Sequence, residues 1–207
     1  MTDLRVALTF DAEHPSRRQC PRGVAEAILE TLAAHRVRGT FFVEGRWASA
    51  YPDLARSIAK AGHLVGNHSN AHVRITRLSR HGLAAEIEDA QKRIEQVTGI
   101  DPRPWFRSPY GDGAADLDVL AVLAEHGYRN VLWDISASDW EDDRTAEGIE
   151  NDVVDGVLNR GDGTTVLLHA WPAPTAGALP QILERLWSAG ARFLTVAELA
   201  ESSSSSL

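Results

Sequence analysis

Polar residues suited to hydrolytic chemistry follow two of the short apolar segments in this chain. Asp11 and Glu13 follow the apolar segment at 5–10, and His68 and His72 follow the one at 63–66. Two histidines four residues apart can share one face of a helical turn, or they can converge from a tight loop, so that both imidazoles reach one cation. The alternative is a pair of surface histidines. A carboxylate at a neighbouring strand end favours the metal site.

Three further segments carry unusual side chains at the same kind of position. Arg107 and Tyr110 lie at or just after the end of the segment at 105–107. Asp139 and Trp140 follow the segment at 128–133, and His169 ends the one that begins at 164. An arginine can orient a carboxylate through a bidentate contact. A tryptophan beside an acid suits a sugar face or an acetyl methyl, and a histidine after a buried strand can be a general acid. Each residue alone also fits an ordinary turn or core position, so the shared location carries the functional interpretation.

Apolar strand-like segments alternate with amphipathic helical segments along the chain. Strands are predicted at 5–10, 39–43, 63–66, 105–107, 128–133, 164–168 and 192–195. Roughly seven βα units argue for parallel strands in an α/β protein. A distorted (β/α) barrel in one domain is the simplest arrangement, and an open doubly wound sheet is the alternative. Because barrel enzymes gather catalytic groups at the carboxyl ends of their strands, the polar residues above are expected to meet there.

Composition excludes several classes of protein. The 207 residues carry a net charge of −8 without a Lys/Arg cluster, which argues against a nucleic-acid partner. Cys20 is the only cysteine, so an intrachain disulfide and a C-x-x-C zinc site are impossible, and His, Asp or Glu must hold any metal. No glycine-rich phosphate loop follows a strand, so nucleotide binding has no support.

Targeting and domain signals are few. No apolar run is long enough for a membrane span or resembles a signal peptide, so no membrane association is expected. The chain as given is expected to be cytoplasmic, or secreted if an export segment precedes it. One catalytic domain over 1–201 and a disordered serine-rich tail over 202–207 are predicted. The sequence leaves the oligomeric state open.

Taken in order, these motifs resemble those of the polysaccharide deacetylases, which are carbohydrate esterase family 4 with a NodB-type homology domain. The resemblance runs from about Val6 to Leu199. It rests on the segments His68-x-x-x-His72, Arg107-Ser108-Pro109-Tyr110, Ser138-Asp139-Trp140 and Leu167-Leu168-His169. The segment His169-Ala170-Trp171-Pro172 also resembles the acetyl-xylan esterase members.

The resemblance implies a base and a metal centre. Asp11 would be the general base, held in place by Arg107. His68 and His72 would bind one divalent metal ion together with an acid from the first motif. Histidine and carboxylate ligands suit zinc, and they also suit cobalt or nickel. Zinc is the expected ion, and cobalt and nickel are the alternatives.

The resemblance also implies how the acetyl group is handled. The backbone N–H of Tyr110 would help to form an oxyanion hole. His169 would be the general acid, tuned by Asp139. Trp140 and Leu167 would line the acetyl pocket beside Tyr110.

Two positions depart from the family pattern. The family usually has two adjacent aspartates in its first motif, and Ala12, which cannot ligate, stands at the second. Glu13, in an acid-x-acid arrangement, is then the expected third ligand, and His14 is the alternative. Ala170 stands where an aspartate commonly follows the histidine, which alters the setting of His169.

The expected function is removal of acetyl groups from N-acetylated sugars, such as chitooligosaccharide or peptidoglycan-type glycans. An O-acetyl esterase of acetylated xylan would use the same site. A metal-dependent amidase of a small non-sugar metabolite is a further alternative. A carbohydrate-binding module without catalysis is supported only by Ala12, and the retained Asp11, Arg107, Asp139 and His169 argue against it.

Overall fold

A computed structural model describes residues 4–16 and 21–204, and Cys20 lies outside these ranges. Its strands are β1 (Leu4–Ala12), β2 (Thr40–Val43), β3 (Leu64–Asn67), β4 (Trp105–Phe106), β5 (Arg129–Asn130), β6 (Ile135–Ser136), β7 (Thr164–His169) and β8 (Ala191–Phe193). Its helices are α1 (Val24–Ala34), α2 (Gly45–Ala50), α3 (Pro52–Lys60), α4 (Arg80–Thr98), α5 (Leu117–Glu125), α6 (Ala146–Arg160), α7 (Ala173–Ser188) and α8 (Val196–Ser204).

The strands form one curled sheet in the order β5-β4-β3-β2-β1-β7-β6, and β8 pairs with the lower part of β1. Each strand pair in the described chain is parallel. Parallel strands require crossover connections, and helices supply most of them here, as the alternating sequence pattern predicted. The expected α/β class and the distorted (β/α) barrel are confirmed.

Side chains alternate across β1, the central strand. Val6, Leu8, Phe10 and Ala12 belong to the main apolar core, in which the sheet packs against helices such as α1, α6 and α7. Thr9 and Asp11 lie on the opposite face, towards the barrel interior, where both bond Arg107. Period-two alternation therefore separates the apolar core residues of β1 from its polar residues, which contact Arg107.

The predicted strand over 128–133 is confirmed only at Arg129–Asn130, which form β5. The next strand, β6, begins at Ile135, and β5 and β6 lie at opposite ends of the sheet order. Between them, residues 131–134 form a segment that we call the seam. The Val131 N–H donates to the Phe106 carbonyl at 2.7 Å, and the Asp134 N–H donates to the Thr165 carbonyl at 2.8 Å. The seam thus crosses the gap between the two edges without forming a ladder of its own. The short helix α2 was also not predicted.

The expected tail begins too early. Helix α8 continues to Ser204, so the first serines of the predicted tail are helical. The Ser202 hydroxyl donates to the Leu199 carbonyl at 2.8 Å and accepts from the Arg5 guanidinium at 2.9 Å, which holds this part of the chain to β1. Residues 205–207 lie outside the described ranges. Within those ranges, no helix has the length and apolar character needed to cross a membrane.

Candidate active site and metal centre

The residues predicted from the sequence meet at one cavity of about 330 Å³ at the carboxyl ends of the strands. The predicted residues that line it are Asp11, Glu13, His72, Tyr110, Trp140, Leu167 and His169. The others are buried behind this wall, where His68 contacts Glu13, Arg107 binds Asp11, and Asp139 binds His169. Parallel strands bring these groups together because their carboxyl ends share one rim.

Glu13, His68 and His72 form a cluster that can hold a metal ion, with their ligand atoms within 4.8 Å of one another. Oε2 of Glu13 lies 3.2 Å from Nε2 of His68 and also contacts Nε2 of His72. Nδ1 of His68 lies 2.8 Å from the Arg107 carbonyl. Because a carbonyl only accepts, Nδ1 carries a proton, and Nε2 of the neutral ring is then free to ligate. Two nitrogens and one oxygen fit zinc, cobalt or nickel.

A tight loop, and not a helical turn, presents the two histidines. Ser69 and His72 have positive φ angles of 61° and 51°. Oδ1 of Asn67 accepts the Ser69 N–H at 2.9 Å, and Oγ of Ser69 accepts the His72 N–H at 3.1 Å. The Glu86 carboxylate accepts hydrogen bonds from the backbone N–H groups of Asn70 and Ala71. Side-chain acceptors thus hold the loop in a conformation that a helix would not provide.

The alternation along β1 places Glu13 beside the two histidines. Ala12 is fully buried in the core between sheet and helices, whereas Glu13, one residue later, reaches the face that Asp11 occupies. Burial raises the pKa of Glu13, but its contacts with His14, His68 and His72 outweigh this effect and hold its pKa well below its usual range. Glu13 is therefore ionised, which is the form that binds metals. His14 contacts Glu13 at 3.0 Å and is not part of the ligand cluster.

Arg107 is fully buried and holds Asp11. Its Nη1 donates to Oδ1 of Asp11 and to Oγ1 of Thr9, each at 2.8 Å. The contact with the carboxylate is therefore made by one nitrogen and is not bidentate, which corrects our expectation. The remaining nitrogens donate to seam carbonyls, and the guanidinium carbon lies 4.1 Å from the centre of the Phe42 ring. Arg107 thus fixes Asp11 and the seam at once.

His169 and Asp139 form a buried pair. Oδ1 of Asp139 lies 2.7 Å from Nδ1 of His169, and Oδ2 accepts the His169 backbone N–H at 2.8 Å. The Thr175 hydroxyl also donates to Oδ2, at 2.6 Å. Burial lowers the pKa of His169, but the charge and hydrogen bond of Asp139 and the nearby Glu13 and Asp11 raise it to about 9. His169 is therefore protonated at neutral pH, with Nε2 as the group that can deliver a proton.

Apolar and aromatic side chains complete the cavity. The Trp140 ring lies 5.2 Å from that of His169 and is 38% exposed, so one face is open to a ligand. Leu167 is buried on β7, and the Tyr110 ring packs 4.5 Å from His72. Tyr110 has a φ of 60°, which a bulky residue adopts only under constraint. Such backbone strain is typical of functional sites.

Sequence reasoning missed several contributors. Ser108, Trp133 and Trp171 line the cavity, and Thr175 holds Asp139. Thr9 could have been found, because period-two alternation places it on the same face as Asp11. Thr175 carries no comparable signal, since its contact depends on how α7 packs against the loop that holds Asp139.

Comparisons with known proteins agree with this geometry. The polysaccharide deacetylase family model matches residues 1–131. The peptidoglycan-N-acetylmuramic acid deacetylase PdaC of Bacillus subtilis is 33% identical over 198 residues, covering 95% of this chain and 38% of that protein. The chitooligosaccharide deacetylase of Azorhizobium caulinodans is 33% identical over 175 residues, covering 84% of this chain and 77% of that protein. This chain thus spans about two fifths of the first protein and most of the second.

A solved structure shows the same fold. The family 4 carbohydrate esterase from Streptomyces lividans, in complex with acetate, matches with a TM-score of 0.79 and 31% sequence identity. The match covers 94% of this chain and 93% of that chain. Sequence, fold and the convergent polar residues agree, and the chain belongs to the polysaccharide deacetylase family.

Proposed function

We propose that this chain is a metal-dependent hydrolase that removes acetyl groups from N-acetylated sugars. The observation that carries the proposal is the convergence of Glu13, His68 and His72 with Asp11 and His169 around one cavity. These three ligands fit a divalent cation, for which zinc is the first choice and cobalt or nickel the alternatives. When bound, such a cation acidifies water and polarises the acetyl carbonyl.

Asp11 is the proposed general base. Oδ1 is engaged by Arg107, whereas Oδ2 lies 3.4 Å from Nε2 of His68. The carboxylate therefore presents its second oxygen beside the metal ligands, where it can take a proton from the attacking water. Because the guanidinium fixes the orientation of Asp11, the base is positioned before substrate binds.

His169 is the proposed general acid. Asp139 holds Nδ1, so Nε2 can give its proton to the departing amine. An amide needs this step more than an ester does, because an amide anion is a very poor leaving group. General acid–base catalysis of this kind contributes about 10²–10⁴-fold to the rate.

The acetyl group is proposed to lie between Tyr110, Trp140 and Leu167, which line one cavity. The Tyr110 backbone N–H would donate to the developing oxyanion, an interaction that contributes about 3–4 kcal/mol when one such donor is well placed. Trp140 and Leu167 would receive the methyl group and exclude water from it.

Relatives favour an N-acetyl substrate, since the names of two of them specify N-acetylmuramic acid and chitooligosaccharide deacetylation. An O-acetyl esterase is the second candidate, supported by the likeness to the Streptomyces lividans carbohydrate esterase. Both reactions would use the same residues. A non-catalytic binding module is less well supported, because the proposed base, acid and metal ligands converge on one cavity. An amidase of a small metabolite is less well supported, because the names of the relatives specify glycan substrates.

Acetate release tests the proposal. The protein is stripped of metal, refilled with zinc or cobalt, and assayed in parallel on N-acetylated chitooligosaccharide and acetylated xylan, with Asp11→Asn as the blank. We expect metal-dependent release from the chitooligosaccharide, retained metal binding in Asp11→Asn, and lost metal binding in His68→Ala. Full activity in Asp11→Asn would refute the assigned base. Release from xylan alone would favour the esterase, and metal binding without release from either substrate would reject deacetylation of sugars.

A further inference from the structure

The two oxygens of the Glu13 carboxylate have separate sets of partners. Oε2 faces His68 and His72. Oε1 accepts a hydrogen bond from the indole Nε1–H of Trp171 at 3.3 Å and lies 3.0 Å from Nε2 of His14. Glu13 is only 3% exposed, and its Oε1 is contacted by groups outside the ligand cluster.

We propose that Trp171 and His14 are positioning residues for metal binding, which hold Oε1 of Glu13 so that Oε2 is the oxygen presented to the cation. This inference rests on the metal site of the proposed function. A glutamate side chain has one more rotatable bond than the aspartate that usually follows the base in this family. Fixing its carboxylate reduces the freedom that would otherwise be lost when a cation binds.

Strand register explains why Trp171 reaches Glu13. In the parallel pairing of β1 with β7, Asp11 is the partner of His169. The Ala170 N–H continues the pairing by donating to the Asp11 carbonyl at 3.0 Å. Two residues beyond this pair along each chain segment, Glu13 and Trp171 therefore lie side by side. The same register therefore places Asp11 beside His169 and Glu13 beside Trp171.

The chemistry of the indole group fixes the direction of this contact. Trp171 is 6% exposed, so its N–H needs an acceptor inside the protein. Indole nitrogen only donates, and Oε1 of Glu13 accepts. Hydrogen-bond partners of metal ligands commonly set the orientation of the ligating atom, and losing them costs about 10–100-fold in metal affinity or activity.

His14 is itself held in place by a buried acid. Its φ is 56°, and its backbone N–H donates to Oε2 of Glu44 at 2.8 Å. Glu44 is 2% exposed and lies between β2 and α2, so the loop after β1 is tied to a rigid part of the fold. This contact orients the imidazole towards Glu13. Two separate elements, β7 and the β2–α2 junction, therefore converge on one carboxylate oxygen.

Metal affinity tests the proposal without using activity. Zinc affinity is measured by competition with a chromophoric chelator, and the cobalt form is examined by its visible absorption spectrum. Trp171→Phe keeps an aromatic side chain and removes the N–H, and we expect it to weaken zinc binding by about 10–100-fold and to alter the cobalt spectrum. Trp140→Phe is the matched control, because that indole lines the same cavity without a hydrogen bond to Glu13. It should leave zinc affinity unchanged.

A second background separates a positioning role from a general structural one. In Glu13→Ala, Trp171→Phe should cause no further loss of affinity, because its effect acts through the missing carboxylate. An equal loss in both backgrounds, or no loss in the wild-type background, would overturn the proposal. His14→Asn, which tolerates the positive φ, provides the same test if Trp171→Phe does not fold.

Failure of this inference can be distinguished from failure of the proposed function. If Trp171→Phe weakens metal binding in a chain that releases no acetate, the positioning role stands and the deacetylase assignment falls. If Trp171→Phe binds metal as the wild type does in an active deacetylase, the assignment stands and the positioning role falls. Unchanged affinity in Glu13→Ala would remove Glu13 as a ligand and would overturn this inference.

Discussion

Breaking the buried pair between Arg107 and Asp11 should destabilise the fold strongly, even without metal. Arg107 is fully buried, and the Asp11 side chain is 5% exposed. Arg107→Met preserves much of the side-chain volume while removing the cation. The carboxylate then loses its partner at 2.8 Å, and the carbonyls of Val131 and Leu132 lose their donors.

The expected cost follows from burial. Removing one member of a buried ion pair costs about 3–5 kcal/mol, because the other charge is left without compensation. Removing both members avoids that penalty. The double variant Arg107→Met/Asp11→Asn should therefore be less destabilised than the sum of the single variants, with a coupling energy of about 0.5–3 kcal/mol.

Denaturant unfolding of the metal-free protein measures each free energy of unfolding. A chelator is present throughout, since bound metal would add its own stabilisation. Arg80→Met is the control, because Arg80 and its partner Glu125 form an ion pair in which both side chains are more than half exposed. Exposed pairs contribute little, so this variant should unfold nearly as the wild type does. Additive effects of Arg107→Met and Asp11→Asn would refute the reasoning.

Three further changes test other parts of the structure. Asp139→Asn removes the charge that raises the pKa of His169, so the pH–rate profile should lose activity at a lower alkaline pH than the wild type. Burial lowers the pKa of His63 to about 4, so its stabilising neutral form is fully present above about pH 6.5 and is lost as pH falls towards 4. His63→Asn should therefore reduce the loss of unfolding free energy over that range, by up to about 1.4 kcal/mol per pH unit in acid titrations. Gly66→Ala would place a methyl 2.6 Å from the Phe42 ring, so denaturant unfolding should show destabilisation of about 1–3 kcal/mol.

Each of these outcomes has a clear opposite. An unchanged alkaline limb in Asp139→Asn would mean that His169 does not supply the essential proton. Equal acid sensitivity of the wild type and His63→Asn would place the acid-labile group elsewhere. Wild-type stability of Gly66→Ala would show that the Phe42 ring, which contacts the Arg107 guanidinium, can move away from the added methyl.

The fold could be predicted largely because its signals are local. Strands buried on both faces produce apolar runs, and helices between them produce amphipathic spacing, so the alternation appears directly in the sequence. The seam could not be predicted in this way. The apolar run from Tyr128 to Trp133 resembles one strand, yet the pairing edges for β5 and β6 lie far apart in the sheet. Pairing is a long-range property that an apolar run does not encode.

The site residues that lie at the ends of strands could be predicted from the sequence. Asp11, His68 and His169 each follow an apolar segment, so the shared rim brought them together. Glu13 rather than Ala12 follows from period-two alternation, which is a local rule. The hydrogen bond from Trp171 to Glu13 joins residues 158 positions apart and depends on the register of β1 with β7. Such contacts arise only when the sheet is assembled.

The central position of β1 also matters while the chain is being synthesised. Residues 4–130 contain β1 to β5, which form one side of the sheet, whereas β7 pairs with the other edge of β1 from Val6 to Asp11. During elongation at about 5–20 residues per second, that edge of β1 stays unpaired for several seconds until β7 has been synthesised. Unpaired edges of this kind promote association between chains. A fragment that ends at residue 131 should therefore aggregate, because this edge of β1 would stay unpaired.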